Sequence, residues 1–194
     1  MKNTKPKFNQ IIDAAVEVIA ENGYHSSQVS KIAKKAGVAD GTIYLYFKNK
    51  EDILVSLFQE KMGQFIERIE LEIAGKKNAK EKLLELIRLH FSQLGANLPL
   101  AIVTQLELRQ SNPELRKKIN EVLKRYLTVI DSIIEEGVEE KLFHAALNKK
   151  LVRQMIFGTI DETVTNWVMK EHKYRLVDQA EEVHHLLVNG ISNR

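Results

Sequence analysis

Apolar residues recur along this chain at helical spacing, and the alternation typical of strands is hard to find. A stripe near the start predicts a first helix that ends near Asn22–Gly23; it consists of Phe8, Ile12, Ala15 and Ile19. The same periodicity continues to the last residues, so the sequence predicts an all-α fold of about nine helices.

The longest of the next stripes predicts a fourth helix over residues 49–74, capped by Asn49 with Asp52 three residues on, as in a capping box. At 1.5 Å per residue it would span about 35–40 Å. A helix that long can link two domains. Five more helices are predicted at about 79–95, 98–111, from Asn112-Pro113 onward, 148–171 and 176–190.

Residues 27–50 read as two short helices joined by a glycine turn, which is the pattern of a helix-turn-helix. Ser27 can cap the first helix through its hydroxyl, and Gly37 can adopt the positive φ that stops it. The two helices share one apolar face at helical spacing, which consists of Val29, Ile32, Ala33, Ala36, Ile43 and Phe47.

The opposite face of the second short helix carries small residues and hydroxyls, namely Ala39, Asp40, Gly41, Thr42, Tyr44, Leu45 and Tyr46. Hydroxyls on flat or short side chains suit phosphate oxygens and base edges. Lys34, Lys48 and Lys50 add positive charge. The alternative, a helical hairpin whose tyrosines only pack, does not require this charge and hydroxyl pattern.

Charge is distributed unevenly along the chain. Residues 1–50 hold 8 lysines and 4 acidic residues, a net charge of +4, and the remainder holds 21 basic and 22 acidic residues, a net charge of −1. Positive charge gathered in one segment favours binding to a polyanion. A difference of this size can also arise on an ordinary solvated surface, so it only supports the motif.

These residues carry a resemblance to a known family. The runs Val29–Val38 and Gly41–Leu54 resemble the DNA-binding head of the TetR family. The resemblance implies a DNA-binding domain over 1–50 and a ligand-binding and dimerisation domain over 51–194, linked by the helix 49–74. It implies phosphate contacts by Ser27 and Gln28, a recognition helix with Asp40, Gly41, Thr42 and Tyr44, and a backbone clamp of Tyr46, Lys48 and Lys50.

The head departs from the family pattern at two positions. Asp40 stands where the family often has lysine, and Leu45 where it often has histidine. Asp40 either accepts a hydrogen bond from a cytosine amino group or caps the recognition helix. The operator bases therefore do not follow from the sequence.

The segments Glu107–Arg116 and Arg153–Trp167 resemble the body of the TetR-type fatty acid degradation repressors of Gram-positive bacteria, and the likeness extends over nearly the whole chain. The resemblance implies repression of fatty acid degradation genes, relieved by long-chain acyl-coenzyme A as effector, with no cofactor. It makes Arg109, Arg116 and Arg153 candidate phosphate partners, although a salt bridge with a nearby glutamate is as good an interpretation for each.

The predicted sixth helix is apolar on most sides and must be buried by protein, by a second subunit or by an apolar ligand. Plain core packing explains most single residues. The candidates for an acyl tunnel are Phe91, Leu94, Ile102, Leu106, Tyr126, Ile130, Met155 and Thr159. Another hydrophobic ligand, such as a drug or a free fatty acid, is the alternative.

The last two predicted helices are expected to form a homodimer, because two recognition helices must reach successive major grooves of a palindromic operator. A small, polar stripe there consists of Gly158, Thr159, Thr163 and Asn166, opposite Met155, Ile156 and Trp167. Ligand binding is hypothesised to tilt the fourth helix and change the spacing of the two heads.

Several classes of protein are disfavoured. Six histidines show no metal-ligand spacing, and the chain has no cysteine, phosphate-binding glycine loop or nucleophile elbow, so neither an enzyme nor a metal site is expected. No apolar run reaches a membrane span, and residues 1–7 lack the apolar core of a signal peptide. The expectation is a cytoplasmic regulator.

Overall fold

The computed structural model describes residues 5–193 and is helical, with one isolated β-bridge between Phe143 and Ser192 in that range. The α-helices are α1 Lys5–Asn22, α2 Val29–Lys35, α3 Asp40–Ile43, α4 Lys50–Ala74, α5 Ala79–Gly95, α6 Leu98–Glu107, α7 Pro113–Glu139, α8 Lys149–Met169 and α9 Ala180–Ile191. A 3-10 turn, Leu176–Gln179, precedes α9. The prediction of an all-α fold is confirmed; the expectation about residues 1–7 falls partly outside the described residues.

By packing, the chain forms two units, one containing residues up to Gly63 with Pro99–Val122, the other Gln64–Leu98 with the residues from Leu123 onward. Helices α4, α6 and α7 contribute residues to both. The first unit thus combines the predicted head with α6 from its second residue onward and the start of α7. The expected functional division after residue 50 stays a prediction.

Glycine and asparagine set the helix ends as the sequence predicted. Gly37 has φ +63°, and the N–H of Val38 donates to the carbonyl of Ala33 at 3.0 Å, a Schellman ending for α2. Asn49 Oδ1 accepts from the Asp52 N–H at 2.9 Å and caps α4. Asp52 in turn accepts from the Lys48 N–H at 2.9 Å, one residue earlier than in the standard capping box.

The cap predicted for α2 is wrong. The helix begins at Val29, its capping position is Gln28, and no side chain caps it. Ser27 is buried instead, and its hydroxyl donates to the carbonyl oxygens of Gly23 at 2.7 Å and Val18 at 3.2 Å. The hydroxyl therefore closes the turn after α1 and does not cap α2.

Helix α6 is shorter than predicted, and it is not buried on all sides. It ends at Glu107 rather than Ser111. Gln105 and Glu107 are buried, whereas Leu106 is 50% exposed. After the helix the Gln110 side chain donates to the Glu107 carboxylate, and Asn112 then caps α7 by accepting from the N–H groups of residues 114 and 115.

Candidate DNA interface and effector-binding residues

The recognition helix α3 is fixed by two apolar side chains. Ile43 and Phe47 are 0% and 2% exposed, and the ring of Phe47 stacks on Phe8 with centroids 5.2 Å apart. Their burial turns the other side of the segment outward, because successive helical residues point about 100° apart. Tyr44 and Leu45 are accordingly 58% and 81% exposed.

The small residues of this segment lie open. Ala39, Asp40 and Gly41 are exposed, and a Cβ built on Gly41 would meet no heavy atom within 4 Å. Asp40 is the first residue of α3, and the capping position is Ala39, without a side-chain hydrogen bond. The capping role considered for Asp40 is therefore wrong. Base reading by its carboxylate stays a prediction.

Thr42 and Tyr46 are partly exposed beside α3, and Lys34 and Lys48 are exposed on either side of it. Hydroxyl and ammonium groups therefore flank the open α3 surface. This arrangement matches the chemistry of phosphate contacts, in which lysine acts as a point charge and hydroxyls donate.

Lys50 has a structural role that the sequence did not reveal. Its Nζ donates to the carbonyl oxygens of Tyr24, His25 and Ser27 at 3.1, 2.9 and 3.2 Å. It also lies 4.7 Å from the centroid of the Tyr24 ring. An ammonium has three donors, so a phosphate contact by Lys50 would have to replace one of these bonds.

Ser27 and Gln28, the two residues before α2, differ in their exposure to solvent. Gln28 is exposed, with its side chain outside any helix cap. Ser27 is only 2% exposed and its hydroxyl is engaged internally. Gln28 thus keeps the geometry expected of a phosphate contact, while Ser27 could offer DNA little of its side chain.

Four of the predicted effector residues belong to the first unit. Ile102 is half-buried and Leu106 half-exposed. Arg109 and Arg116 are exposed, and each donates to a main-chain carbonyl: Arg109 to Gln105 at 3.4 Å, Arg116 to Gln110 at 3.1 Å. The guanidinium of Arg116 holds the loop between α6 and α7.

The remaining predicted effector residues belong to the second unit. Phe91, Leu94, Tyr126 and Ile130 are buried. Arg153 pairs with Asp131 at 2.7 Å, in line with the salt-bridge alternative, although the predicted glutamate partner is an aspartate. That these residues form part of an effector site stays a prediction.

Met155 and Thr159 face outward from α8. Met155 is 39% exposed and the Thr159 hydroxyl donates to the Met155 carbonyl at 2.7 Å. Met155 was expected on the side of Ile156 and Trp167, yet both of those residues are buried. The exposed side of α8 also holds an open hollow of about 480 Å³, lined by Gly158, Thr159, Glu162, Thr163, Asn166 and Tyr174.

His90 is a buried polar residue that sequence reasoning missed. Its Nδ1 lies 2.9 Å from the Tyr126 hydroxyl, while Nε2 has no hydrogen-bond partner within the described chain. Burial lowers the pKa of this imidazole to about 4 and raises the pKa of Tyr126 above its usual value. Its place on the apolar stripe of α5, one residue before Phe91, was the available signal.

Helix α6 supplies a second polar pair that was missed, Glu107 and Gln110. The Glu107 carboxylate accepts from the main-chain N–H of Tyr24 at 2.9 Å and from the side-chain amide of Gln110. Glu107 falls four residues after the buried Val103, and this spacing was its only sequence signal.

Two family models match the chain and together cover residues 11–190. The model for bacterial regulatory proteins of the tetR family matches residues 11–57, and the model for the C-terminal region of YsiA-like proteins matches residues 58–190. An exposed recognition helix on a helical body defines a helix-turn-helix regulator. The chain belongs to the TetR family of bacterial transcriptional regulators.

The similarity to characterised relatives extends over the full length. The chain is 66% identical to the fatty acid metabolism regulator protein of Bacillus subtilis over 194 residues, 100% of both chains. Its fold matches the crystal structure of the regulator FadR from Bacillus subtilis in complex with stearoyl-CoA, with a TM-score of 0.93 and 67% identity over 95% of this chain and 99% of that one. The fatty acid degradation regulator FadR from Bacillus halodurans matches with a TM-score of 0.92 and 61% identity, over 94% and 98%.

These comparisons confirm the predicted family and the prediction that the chain is a regulator and not an enzyme. Within residues 5–193, no group of three or more His, Asp or Glu side chains is placed to hold a metal ion. None of the helices in that range is long and apolar enough to cross a bilayer.

Proposed function

We propose that this protein is a dimeric repressor of fatty acid degradation genes that binds a palindromic operator and is released by long-chain acyl-coenzyme A. The observation that carries the proposal is the 66% identity, over the whole of both chains, to a fatty acid metabolism regulator. The similarity to a structure that contains stearoyl-CoA supports the effector class.

The head supports operator binding through the open surface of α3. Tyr44 and Leu45 stand out from it, and Gly41 leaves room for the sugar–phosphate backbone to approach. Lys34 and Lys48 supply charge and Thr42 and Tyr46 supply hydroxyls, with Ala39 and Asp40 at the start of the helix. In this proposal base contacts come from α3 and phosphate contacts from the residues around it.

The effector needs apolar cover for its acyl chain and cations for its phosphates. Phe91, Leu94, Tyr126 and Ile130 supply apolar surface in the second unit, and Ile102 and Leu106 supply it in the first. Arg109, Arg116 and Arg153 are the proposed phosphate partners, and each would exchange a bond it already makes for one to a phosphate oxygen. Met155 and Thr159 fit a subunit interface better than a tunnel, because they face outward.

The homodimer is proposed to form through α8 and α9. Both carry large apolar side chains in the open, with Leu151 62%, Met169 62% and Leu186 61% exposed. Leu151→Glu would place a charge on this surface without disturbing the core. Sedimentation should show a dimer for the unaltered protein and a monomer for the variant; a dimer in both would place the interface elsewhere.

The direct test is a gel-shift titration against the DNA upstream of the protein's own gene, at fixed salt. Stearoyl- or oleoyl-coenzyme A should weaken operator binding at least about fivefold, the lower end of ordinary allosteric coupling. Coenzyme A alone and free oleate serve as controls and should leave it unchanged. Equal release by free oleate would favour the alternative ligand class, and no effect of any acyl-coenzyme A would overturn the proposal.

The mechanism we propose is a shift between two populations of the dimer, which differ in the spacing of their heads. An effector changes operator affinity only to the extent that it binds one population better. Helix α4 is the proposed lever, because it starts in the head at Lys50, the residue that holds the turn before α2. Cross-linked heads at operator spacing should bind DNA regardless of acyl-coenzyme A; release that persists would contradict the mechanism.

A further inference from the structure

Glu107 is a buried carboxylate whose described contacts are hydrogen bonds from neutral groups. The residue is 9% exposed, at the last position of α6. One oxygen accepts from the main-chain N–H of Tyr24 at 2.9 Å, and the other accepts from the Gln110 side-chain amide. A carboxylate loses much of its hydration on burial, so Glu107 depends on these two hydrogen bonds for stabilisation. They join Tyr24, Glu107 and Gln110.

The Tyr24 end of this contact is the turn between α1 and α2, the turn that positions the start of α2 in the head. Tyr24 is 5% exposed, and its carbonyl accepts from Lys50 Nζ at 3.1 Å. Glu107 holds the N–H of the same residue. The turn is therefore fixed by α6 through Tyr24 N–H and by α4 through its carbonyls, and Gln28 follows four residues later.

At the other end of the contact, the side-chain amide of Gln110 does not make all of its hydrogen bonds. Its Oε1 is buried without a hydrogen-bond partner in the described chain, while its main-chain carbonyl accepts from Arg116 at 3.1 Å. Turning the amide over would give Oε1 no donor either, since Glu107 in its ionised form only accepts. A buried oxygen without a partner raises the free energy of this arrangement, so an arrangement that gives Oε1 a donor would offset part of the cost of moving the amide.

We propose that Glu107 is a positioning residue that couples the Pro99–Val122 segment to the DNA-binding head through its bond to Tyr24. This inference rests on the proposed function, because the segment also carries Ile102, Leu106, Arg109 and Arg116 of the proposed effector site. Gln110 links Arg116 to Glu107, because its main-chain carbonyl accepts from Arg116 and its side-chain amide donates to Glu107, which also accepts from the Tyr24 N–H. When Arg116 leaves the Gln110 carbonyl for an effector phosphate, these hydrogen bonds rearrange and the Glu107–Tyr24 bond is made in only one of the two populations.

The test compares operator Kd with and without saturating stearoyl-coenzyme A, at fixed salt, in four proteins: wild type, Glu107→Ala, Glu107→Gln and Glu121→Ala. A hydrogen bond made in only one population contributes to the free-energy difference between the two populations, and its loss removes that contribution. The ratio of the two Kd values should therefore fall at least about fivefold in Glu107→Ala, which brings it to about one if the wild-type ratio is at its lower limit of about five. Glu107→Gln should keep the ratio within about threefold, because a glutamine oxygen can still accept from Tyr24 and its amide can donate to Gln110 Oε1 after that amide turns over.

Glu121 is exposed on the same segment, so Glu121→Ala is the matched control and should retain the wild-type ratio. A Glu107→Ala protein with a wild-type thermal midpoint and an unchanged ratio would overturn the inference while leaving the proposed function intact. A wild-type ratio of about one would overturn the proposed function and the inference with it.

Amide hydrogen exchange on the wild-type protein provides a measurement that needs no variant to fold. Stearoyl-coenzyme A should change the exchange rate of the Tyr24 amide at least about tenfold, since its hydrogen-bond acceptor is present in one population only. The Ala36 amide, bonded to the Ile32 carbonyl at 2.8 Å within the helix-turn-helix, serves as the internal control. Equal exchange of Tyr24 in both conditions would contradict the proposed role of Glu107.

Discussion

His90 makes the stability of this protein depend on pH in a way that can be calculated. Burial lowers the pKa of its imidazole to about 4, whereas the side chain of an unfolded histidine titrates near 6.5. Between these values the unfolded chain binds a proton that the folded chain does not. The stabilisation is therefore complete above about pH 6.5 and is lost as the pH falls through about 4.

The magnitude follows from the two pKa values. On going from pH 7 to pH 5, protonation of His90 in the unfolded chain should lower the free energy of unfolding by about 2 kcal/mol. His90→Gln removes this titration and keeps a polar group near the Tyr126 hydroxyl. The change in unfolding free energy that His90→Gln itself causes at pH 7 is a separate quantity, because only the dependence on pH reports the titration.

The assay is urea unfolding of wild type and His90→Gln at pH 7, 6 and 5. One protein concentration is used throughout, because the stability of the proposed dimer would depend on concentration. The difference in the free energy of unfolding between the two proteins should change by about 2 kcal/mol from pH 7 to pH 5. His185→Gln, a change at an exposed histidine, should follow the wild type. Parallel curves for wild type and His90→Gln would refute the reasoning that His90 is held neutral by burial.

Three further changes test the helical framework and the head. Gly137→Ala should lower the free energy of unfolding in urea by about 1–3 kcal/mol, because the added Cβ would lie 2.1 Å from the Phe143 ring. The control Gly63→Ala meets no atom within 4 Å and should be neutral or stabilising. Equal effects of the two substitutions would contradict the packing at α7. Asn78→Ala should cost about 1 kcal/mol in the same assay through loss of its cap on the Glu81 N–H at 3.0 Å, and no loss would remove that cap from the account. Lys48→Ala should reduce the slope of log Kd against log salt for operator binding by about one, with Lys77→Ala as an exposed control; an unchanged slope would mean that Lys48 contacts no phosphate.

Local rules accounted for much of the fold from the sequence. Asn49, Asn112 and Gly37 were found at helix ends because a cap acts on amides or carbonyls only a few residues away. The buried face of α3 followed from spacing alone, and it fixed which residues of the recognition helix lie in the open. These are short-range effects that a single sequence records directly.

The missed features depend on partners far apart in the chain. Glu107 and Tyr24 are separated by 83 residues and Lys50 and Tyr24 by 26, so neither contact leaves a periodic signal. Ser27 was assigned to the wrong end of its loop because two carbonyls that α1 and its turn bring close outcompeted the cap. Met155 was placed on the wrong side of α8 because a helix with apolar residues on several faces does not indicate which face is buried.

The central claim is that one protein binds operator DNA and long-chain acyl-coenzyme A at coupled sites. The most direct test is calorimetric titration of stearoyl-coenzyme A into the protein alone and into the protein saturated with operator. Coupling between two binding sites is reciprocal, so operator should raise the Kd of stearoyl-coenzyme A by the same factor as stearoyl-coenzyme A raises the Kd of the operator. An identical Kd for stearoyl-coenzyme A with and without operator would contradict it.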